Sequence, residues 1–339
     1  HGDTDGDGAD NTAIGHKALH DAVSPSKNVA IGDSAMRAMN GTANGIAQCV
    51  AIGANAFYGD ASATTTATDG TTAIGYNALF SLTTGQQNTA IGSYNSDDIT
   101  TGGFNTSVGR STLATLTTGS SNVAVGRATL ATAADDESHN IAIGNSALGS
   151  AKQDGTASST NREIKRNIAI GEDALAGGTL TGTNHLESNI AIGYQAMDAT
   201  GANNQIGTIA IGTSALGALT SGSGNLAVGY LSGKNVTTGA DNVGMGEKTI
   251  GGSSSTAITG DGNTALGWLA GTNLEGSAHE NTLVGKKAGH DMTTAEDNVA
   301  VGMNSGDSIT TGNQNTLIGA GTDTSVVNAT NQTAIGYGT

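Results

Sequence analysis

The hydrophobic and polar positions of the chain follow a five-residue motif, Asn-(Thr/Val/Ile)-Ala-(Ile/Val)-Gly, which recurs 18 times. The residue before the closing glycine is Ile, Val, Leu or Met in all 18 copies, and the residue three before it is Thr, Val or Ile in 17. These positions are two apart, which is the period of a β-strand, and β-branched residues favour strands. Each copy therefore predicts a short strand that ends at a glycine able to take a positive φ. We call these the anchor glycines: Gly15, Gly32, Gly53, Gly75, Gly92, Gly109, Gly126, Gly144, Gly171, Gly193, Gly212, Gly229, Gly246, Gly267, Gly285, Gly302, Gly319 and Gly336.

The spacing of the anchor glycines sets the length of one repeat, which we call a rung. Nine of the 17 intervals between anchor glycines have the same length as the interval from Gly75 to Gly92, and we call this length the ground period. The longer intervals contain insertions. The main insertions lie near 54–70, 131–139, 149–166 and 176–188. A Thr-Thr-Gly-like turn, such as Thr83-Thr84-Gly85, precedes the anchor glycine at a fixed offset in seven rungs, and the sole proline, Pro25, falls at the same offset. Each rung is therefore predicted to have two bends and two short strands.

Rungs of nearly constant length with fixed corners stack into a solenoid, because each strand can pair with its equivalent one rung on. We therefore predict an all-β, parallel β-solenoid of about 18 rungs, roughly 80 Å long at the usual strand spacing. It forms one repeat domain over residues 11–339, preceded by an acidic Asp/Gly-rich segment over 1–10. Stacking aligns the motif asparagines and anchor glycines into structural columns, whose Asn amides can bond to each other or to corner backbone groups. Members of these columns are Asn88, Asn105, Asn122, Asn140, Gly92, Gly109, Gly126 and Gly144.

The motif strand is apolar or small on both faces, with Ala on one and Thr/Val/Ile and Ile on the other. A strand of this kind is normally covered on both faces. A coil as short as one ground period can bury only one of them, and the other would expose long apolar rows. We therefore expect a parallel homo-oligomer with Ala inside each coil and the Ile/Val rows at its axis. The opposite assignment of the two rows stays open at this point.

Composition narrows the class of protein. The chain has 339 residues, 53 of them Gly, with 1 Pro, 1 Cys and 3% aromatic residues. Collagen needs abundant proline and a strict Gly period, a disulfide framework needs more cysteines, and a transmembrane helix needs an apolar run that the sequence lacks. The net charge of −16 argues against nucleic acid as a partner and against insertion in an anionic membrane. A thin, repetitive, ordered structure remains.

The repeats themselves resemble known families. The motifs at 88–92 (Asn-Thr-Ala-Ile-Gly) and 122–126 (Asn-Val-Ala-Val-Gly) are similar to the head repeats of trimeric autotransporter adhesins. The longer form at 82–92, Leu-Thr-Thr-Gly followed by Asn-Thr-Ala-Ile-Gly, resembles repeats in phage tail fibres, and the long ground period favours this form. The resemblance implies a left-handed trimer, extracellular or on a virion surface. It also implies a non-enzymatic attachment fibre whose loops recognise a host or surface glycan, or a protein receptor.

One stretch of the sequence has the composition of a metal site. Asp3, Asp5, Asp7 and Asp10 alternate with glycine and other small residues, as in calcium-binding loops, although no Glu closes the loop at its twelfth position. Calcium binding and a solvated acidic linker are both open interpretations. We expect no other cofactor.

Two sets of residues are candidates for ligand binding. The residue after each anchor glycine varies freely among rungs, which suggests exposure, and five copies are aromatic. Exposed aromatic rings can stack on sugars, although they also cap corners. The largest insertion carries the densest positive spot, and insertions in repeat proteins often lie on a binding face. The candidates are Tyr194, Tyr230 and Trp268 from the first set, and Arg162, Lys165 and Arg166 from the second.

Three other functions compete with the phage fibre. Catalysis is not expected, because carboxylate pairs such as Asp97/Asp98 and Glu172/Asp173 lie in variable turns, where solvation explains them. A polysaccharide depolymerase would need two carboxylates that face each other across a groove. The first alternative to the phage fibre is a bacterial trimeric autotransporter adhesin head, and a further one is an ice-binding solenoid. The latter would need a flat, regular Thr array, which the insertions disfavour.

Overall fold

A computed structural model of the chain describes residues 10–22, 25–38, 46–59, 68–132, 137–150, 152–153, 164–180, 184–201, 203–253 and 255–338. Within these ranges the chain forms short β-strands and turns and no helix. The strands are β1 Thr12–Ile14, β2 Val29–Ile31, β3 Val50–Ile52, β4 Thr72–Ile74, β5 Thr89–Ile91, β6 Thr106–Val108, β7 Val123–Val125, β8 Ile141–Ile143, β9 Lys152–Gln153, β10 Ile164–Lys165, β11 Ile168–Ile170, β12 Thr179–Leu180, β13 Leu186–Glu187, β14 Ile190–Ile192, β15 Gln205–Ile206, β16 Ile209–Ile211, β17 Leu226–Val228, β18 Val243–Met245, β19 Thr264–Leu266, β20 Thr282–Val284, β21 Val299–Val301, β22 Thr316–Ile318 and β23 Thr333–Ile335.

The 18 three-residue strands are the motif strands, and they pair in parallel, which confirms the predicted β-solenoid. The chain divides into two compact units, the first holding the described residues up to Asn167 and the second those from Ile168 on. In the first unit β1 to β8 pair in chain order. In the second unit β11, β14 and β16 to β23 do the same.

The pairing register places equivalent motif positions side by side. Ala30 pairs with Ala51 and Ile31 with Ile52, for example, and the same match recurs along both units. The Ala column points into the coil and is buried, whereas the flanking Thr/Val/Ile and Ile columns point outward and are partly exposed. The expected placement of alanine inside the coil is thus confirmed. Leu79 and Leu82 illustrate the two leucine-rich columns that complete each narrow core.

The anchor glycines stack so closely that a side chain would not fit. Gly193 has a φ of +133°, and a Cβ built on it would lie 2.6 Å from the carbonyl oxygen of Gly212 in the next rung. Real Cβ atoms do not approach backbone oxygen this closely, and L-residues rarely adopt this φ. The glycine column is therefore a geometric requirement of the rung spacing.

The expectation of a second strand in every rung is wrong. Among the described residues that side of the coil forms two-residue strands at β10, β13 and β15, isolated bridges such as Val236 with Ile258, and otherwise turns. After most anchor glycines, the second and the fourth residue are left-handed, as at Asn77 (φ 54°) and Leu79 (φ 51°). A left-handed residue costs roughly 1–2 kcal/mol and prevents a continuous strand. Backbone hydrogen bonds to the flanking rungs offset this cost, among them the bond from Leu79 N to the Asn95 carbonyl at 3.0 Å.

The motif asparagines form a hydrogen-bonded ladder inside the coil, beside the turn that precedes each motif strand. Nδ2 of Asn122 donates to Oδ1 of Asn105 at 3.1 Å and to the Glu137 carbonyl at 2.8 Å. Its own Oδ1 accepts from the backbone N and the Nδ2 of Asn140, at 3.0 and 3.2 Å. The amide is buried with all these groups paired, which is the condition under which a buried polar group stabilises a fold. Asn88, Asn105, Asn140 and Asn167 continue the same column in the first unit.

Substitutions interrupt the ladder at a few rungs. In the first unit Cys49 and Thr71 take the asparagine position in consecutive rungs, and in the second Thr208 does so. The buried hydroxyls of Thr71 and Thr208 make no hydrogen bond to the rest of the described chain. The backbone N of Cys49 still donates to Oδ1 of Asn28 at 2.9 Å, and its Sγ donates to the Thr68 carbonyl at 3.2 Å. These rungs keep the backbone hydrogen bonds to their neighbours and lose the asparagine-to-asparagine hydrogen bonds of the ladder.

The reactivity of the Cys49 thiol can show whether the interior of these rungs is shielded from solvent. Burial raises its pKa from 9.0 to about 11, so that the folded state holds about a hundredfold less thiolate at neutral pH. We expect a disulfide reagent such as Ellman's reagent to label the native chain at least that much more slowly than the chain in denaturant. Equal labelling rates would show that the thiol is accessible and the interpretation wrong.

The same shift has a consequence at alkaline pH. Because the folded pKa lies above the unfolded one, the contribution to stability is complete below about pH 9 and is lost as pH rises through about 11. Cys49→Ala should remove this part of the alkaline decline, which unfolding in urea at a series of pH values measures.

Candidate functional site

The outward face of the paired strands is an apolar surface. In each unit, the column one before the anchor glycines carries Ile, Val, Leu or Met on every rung, and the column three before carries Val, Ile or Leu on some rungs and Thr on the others. The most open of the apolar side chains are exposed by between 36% and 67%. Soluble monomers rarely keep contiguous apolar patches of more than a few hundred Å². This outward sheet face is therefore a candidate interaction surface. Its most exposed members are Ile14, Ile52, Ile91, Val123, Ile141 and Ile143 in the first unit, and Ile211, Met245, Ile318 and Ile335 in the second.

A second surface begins where each motif strand bends. The residue after the anchor glycine projects from the corner, and we call the stack of these residues the corner column. The backbone aligns it: Lys248 N donates to the Tyr230 carbonyl at 2.8 Å, Leu269 N to the Glu247 carbonyl at 3.0 Å and Lys287 N to the Trp268 carbonyl at 2.8 Å. Successive members therefore lie one strand spacing apart, about 4.8 Å.

The three aromatic candidates all lie in the corner column of the second unit. Tyr194, Tyr230 and Trp268 are 47%, 51% and 42% exposed. They occupy alternate rungs, with Thr213 and Glu247 between them. The structure thus places the rings on one line, about 10 Å apart by the strand spacing, and does not bring them into contact.

Trp268 carries two ammonium groups from the following rung. Nζ of Lys286 lies 5.1 Å from the centroid of the indole ring, and Nζ of Lys287 lies 5.8 Å from it. Attraction between a cation and an aromatic ring is worth about 0.5–1 kcal/mol at an exposed site, enough to bias two flexible side chains toward the ring. The result is an exposed aromatic ring with two ammonium groups over it.

The first unit has aromatic contacts of a different kind. The rings of Tyr76 and Tyr94 meet edge to face with centroids 5.2 Å apart. On another side of the coil, Tyr58 and Phe80 stack at 5.0 Å, and the guanidinium of Arg37 lies 5.7 Å from the centre of the Tyr58 ring. These rings pack on each other between rungs, as expected for residues that cap corners.

The basic cluster is described in part. Arg162 lies outside the described residues. Lys165 and Arg166 line a pocket of about 490 Å³ together with Ser138 and His139. Arg166 N donates to the Ser138 carbonyl at 3.3 Å, which fixes the two rungs against each other. The pocket joins a positive corner to a histidine in an otherwise acidic chain.

A pocket of opposite charge lies at the equivalent corner of the second unit. Asp241, Asp261, His279 and Glu280 are among the residues that line its volume of about 410 Å³. The Ser277 carbonyl, 2.9 Å from Nδ1 of His279, and then the carboxylates around the imidazole, Glu296 foremost, raise the pKa of His279. These neighbours thus favour the protonated, positively charged form of His279.

The candidate calcium segment cannot be placed. Asp3, Asp5 and Asp7 lie outside the described residues, and Asp10 is exposed. Across the ranges that the structure covers, no group of three or more His, Cys, Asp or Glu side chains is arranged to hold a metal ion. The interpretation as a calcium site therefore stays a prediction about the segment before Asp10.

Asp97 and Asp98, one of the carboxylate pairs noted in the sequence, lie in a turn. Burial raises the pKa of Asp97, and Asp98 raises it further. A closer pair, which sequence analysis missed, is Asp307 with Asp323: burial and then the neighbouring Asp323 raise the pKa of Asp307. Their separation along the chain is close to one ground period, which is the signal that could have indicated the pair.

Sequence analysis also missed the two lysines beside Trp268. Lys286 follows the next anchor glycine after the one that precedes Trp268, so the two residues share a column one rung apart. Recognising the pair depends on knowing that these rungs stack in register. Tracking charge as well as aromatic character along the corner column would have placed Lys286 next to Trp268, but would not have shown that both ammonium groups turn toward the ring.

Comparison with protein-family models, with curated proteins and with solved structures finds no match to this chain. In the portion of the chain described, no helix is long and apolar enough to span a membrane.

Proposed function

We propose that this chain is a non-enzymatic structural segment of an attachment fibre, which assembles as a parallel homotrimer and displays loops and corner residues toward a host or surface receptor. The observation that carries the proposal is the outward sheet face. Its column one before the anchor glycines carries a partly exposed Ile, Val, Leu or Met on every rung of each unit, so that burial against further copies would extend over many rungs.

The face favours a second copy of the same chain as its cover. Its columns advance by one strand spacing per rung, and the matching surface with the same period is another copy in parallel orientation. Burying apolar surface stabilises by roughly 25 cal/mol per Å², so rows of Ile and Val repeated over many rungs supply a strong association. The number three is taken from the resemblance of the repeats to phage tail fibres and trimeric adhesin heads.

The ice-binding alternative has no support from the turn threonines. The hydroxyl of Thr83 donates to the Thr100 carbonyl at 2.9 Å, and that of Thr293 to the Thr310 carbonyl at 3.0 Å. These hydroxyls are used for bonds between rungs. An array that orders water would need them directed outward, so the attachment function accounts better for these residues.

The mass of the full chain in solution tests the assembly. We expect light scattering to give about three times 33.2 kDa. Replacing Ile91 and Ile143 by Asp places charges on the outward sheet face, and burying an unpaired charge costs several kcal/mol. We expect association to weaken by about a hundredfold or more, since each 1.4 kcal/mol is worth tenfold.

Phe104→Asp is the matched control. Phe104 is 57% exposed and lies before β6, in the column five before the anchor glycines, whose other members are polar, charged or Gly. It should leave the mass unchanged, while circular dichroism shows that all variants keep the fold. A monomeric wild type would contradict the proposal, and so would a doubly substituted chain that associates as strongly as wild type.

A further inference from the structure

We propose that the corner column of the second unit, from Tyr194 to Lys286, binds an extended acidic polysaccharide that lies along the stacking direction of the rungs. This inference names the ligand class for the attachment function proposed above and rests on it. The ligand chemistry is a linear, flat chain of β-1,4-linked sugar rings that carry carboxylate or sulfate groups.

The spacing of the aromatic rings matches that of alternate sugars in such a chain. Tyr194, Tyr230 and Trp268 recur on every second rung and stand exposed on one line. In a ribbon-like β-1,4-linked chain, each sugar ring advances by about one strand spacing, and every second ring presents the same face to one side. The aromatic rings would therefore meet equivalent sugar faces, and stacking an apolar sugar face on an aromatic ring uses the apolar body that such rings expose.

The positive charge beside Trp268 favours an acidic ligand. Within residues 168–339 the sequence has four positive side chains, Lys234, Lys248, Lys286 and Lys287. Two of them converge on the Trp268 ring at 5.1 and 5.8 Å, although the chain carries a net charge of −16. Two ammonium groups near one ring repel each other, and an anionic group between them relieves that repulsion. An acidic sugar stacked on Trp268 supplies such a group.

Polar members of the column fit the same ligand. Thr213 and Glu247 lie between the aromatic rings, at the rungs where the alternate sugars would pass. A hydroxyl and a carboxylate accept hydrogen bonds from sugar hydroxyl groups. Glu247 also sets a limit, because it repels an acidic group placed directly over it. An acidic group is thus favoured at the lysine end of the column and disfavoured directly over Glu247.

Trp268 is the only tryptophan of the chain, so its fluorescence reports on the site directly. The full chain is titrated with a mannuronate hexamer and with its neutral counterpart, a β-1,4-mannose hexamer, and calorimetry runs in parallel. Cellulose sulfate forms the sulfated arm. We expect saturable binding of the acidic probes and binding of the neutral hexamer weaker by about tenfold, the ratio that corresponds to two ion pairs of surface strength.

Substitutions that leave Trp268 in place separate charge from stacking. Lys286→Gln with Lys287→Gln should weaken mannuronate binding by about tenfold. The matched control is Arg110→Gln with Arg127→Gln, two exposed cations on adjacent rungs of the corner column in the first unit, which should change it little. Tyr230→Ala should weaken binding about threefold or more, with Tyr76→Ala as its control.

Ligand length tests the column as a whole. Five rung steps separate Tyr194 from Lys286, roughly 24 Å at the usual strand spacing. A mannuronate dimer should therefore bind more weakly than the hexamer, and Tyr194→Ala should affect the hexamer alone.

The outcomes separate the site from the assembly. Absence of saturable acidic-polysaccharide binding overturns the inference, and so do equal affinities for the charged and neutral hexamers or lysine variants that bind like wild type. A Trp268→Ala chain that no longer assembles would overturn it too, because the ring would then belong to the subunit interface. If the chain is monomeric yet binds the acidic hexamer with the expected length dependence, the trimer fails and the site stands.

Discussion

Gly193→Ala is expected to cost the second unit about 4 kcal/mol or more of stability. The φ of +133° is a conformation that L-residues rarely adopt, and strain of this kind costs about 1–3 kcal/mol. The new Cβ would also stand 2.6 Å from the Gly212 carbonyl oxygen, so the rungs would have to separate, which adds about 1–3 kcal/mol. Because backbone atoms of the next rung form the obstacle, a change of rotamer cannot relieve it. Urea unfolding and amide hydrogen exchange at β14 measure the loss.

Gly207→Ala is the control that separates the clash from the general cost of replacing glycine. Gly207 also has a positive φ, +66°, but a Cβ there would meet no heavy atom within 4 Å. It should cost about 1 kcal/mol, the ordinary penalty of a left-handed residue. Similar losses at the two positions would refute the argument that contact between rungs fixes the anchor glycines.

Asn122→Ala should destabilise the first unit by about 4 kcal/mol. The substitution removes four hydrogen bonds of the ladder, two donated by Nδ2 of Asn122 to Oδ1 of Asn105 and to the Glu137 carbonyl, and two accepted by its Oδ1 from the backbone N and Nδ2 of Asn140. Oδ1 of Asn105 keeps the bond from the backbone N of residue 122, and Nδ2 of Asn140 keeps its bond to the Ile164 carbonyl. Each buried group that loses its partner costs about 1–3 kcal/mol, and relaxation recovers part of the sum. Thermal and urea unfolding of the purified chain give the size of the effect.

Two variants make this prediction specific. Gln86→Ala removes an exposed amide in the same unit and should stay within about 0.5 kcal/mol of wild type. Asn122→Asp keeps the shape and loses the donors, and the buried carboxylate should have a raised pKa. A raised pKa means that its protonated form is favoured in the fold, so the variant should recover stability as pH falls and lose it as pH rises. If Asn122→Ala were as stable as Gln86→Ala, the ladder would carry no net stabilisation.

Much of the architecture follows from residue types. The two-residue spacing of Ile and Val around Ala predicted the motif strands, and the narrow coil predicted that alanine lies inside. The left-handed residues could not be predicted, because Leu79 has no preference for φ 51° and takes it only since flanking rungs bind its backbone. The predicted second strand is therefore absent from most rungs, because hydrogen bonds between stacked rungs stabilise left-handed residues that interrupt it.

The candidate site was visible in the sequence only in pieces. Tyr194, Tyr230 and Trp268 could be selected for their shared offset from an anchor glycine. Their alternation with Thr213 and Glu247 has the same signal, but only the pairing register shows that these residues lie side by side on successive rungs. The approach of Lys286 and Lys287 to the indole ring depends on rotamers that no spacing rule provides.

The match of equivalent positions between successive strands makes length a free variable of this fold. The segment 93–109 runs from one anchor glycine to the next, and β5 and β6 align with β7 through the same backbone positions. Because each rung touches only its neighbours, gain or loss of such a segment by recombination joins ends that already fit. Solenoids with different numbers of rungs can therefore arise from one sequence, and none of them needs a new core.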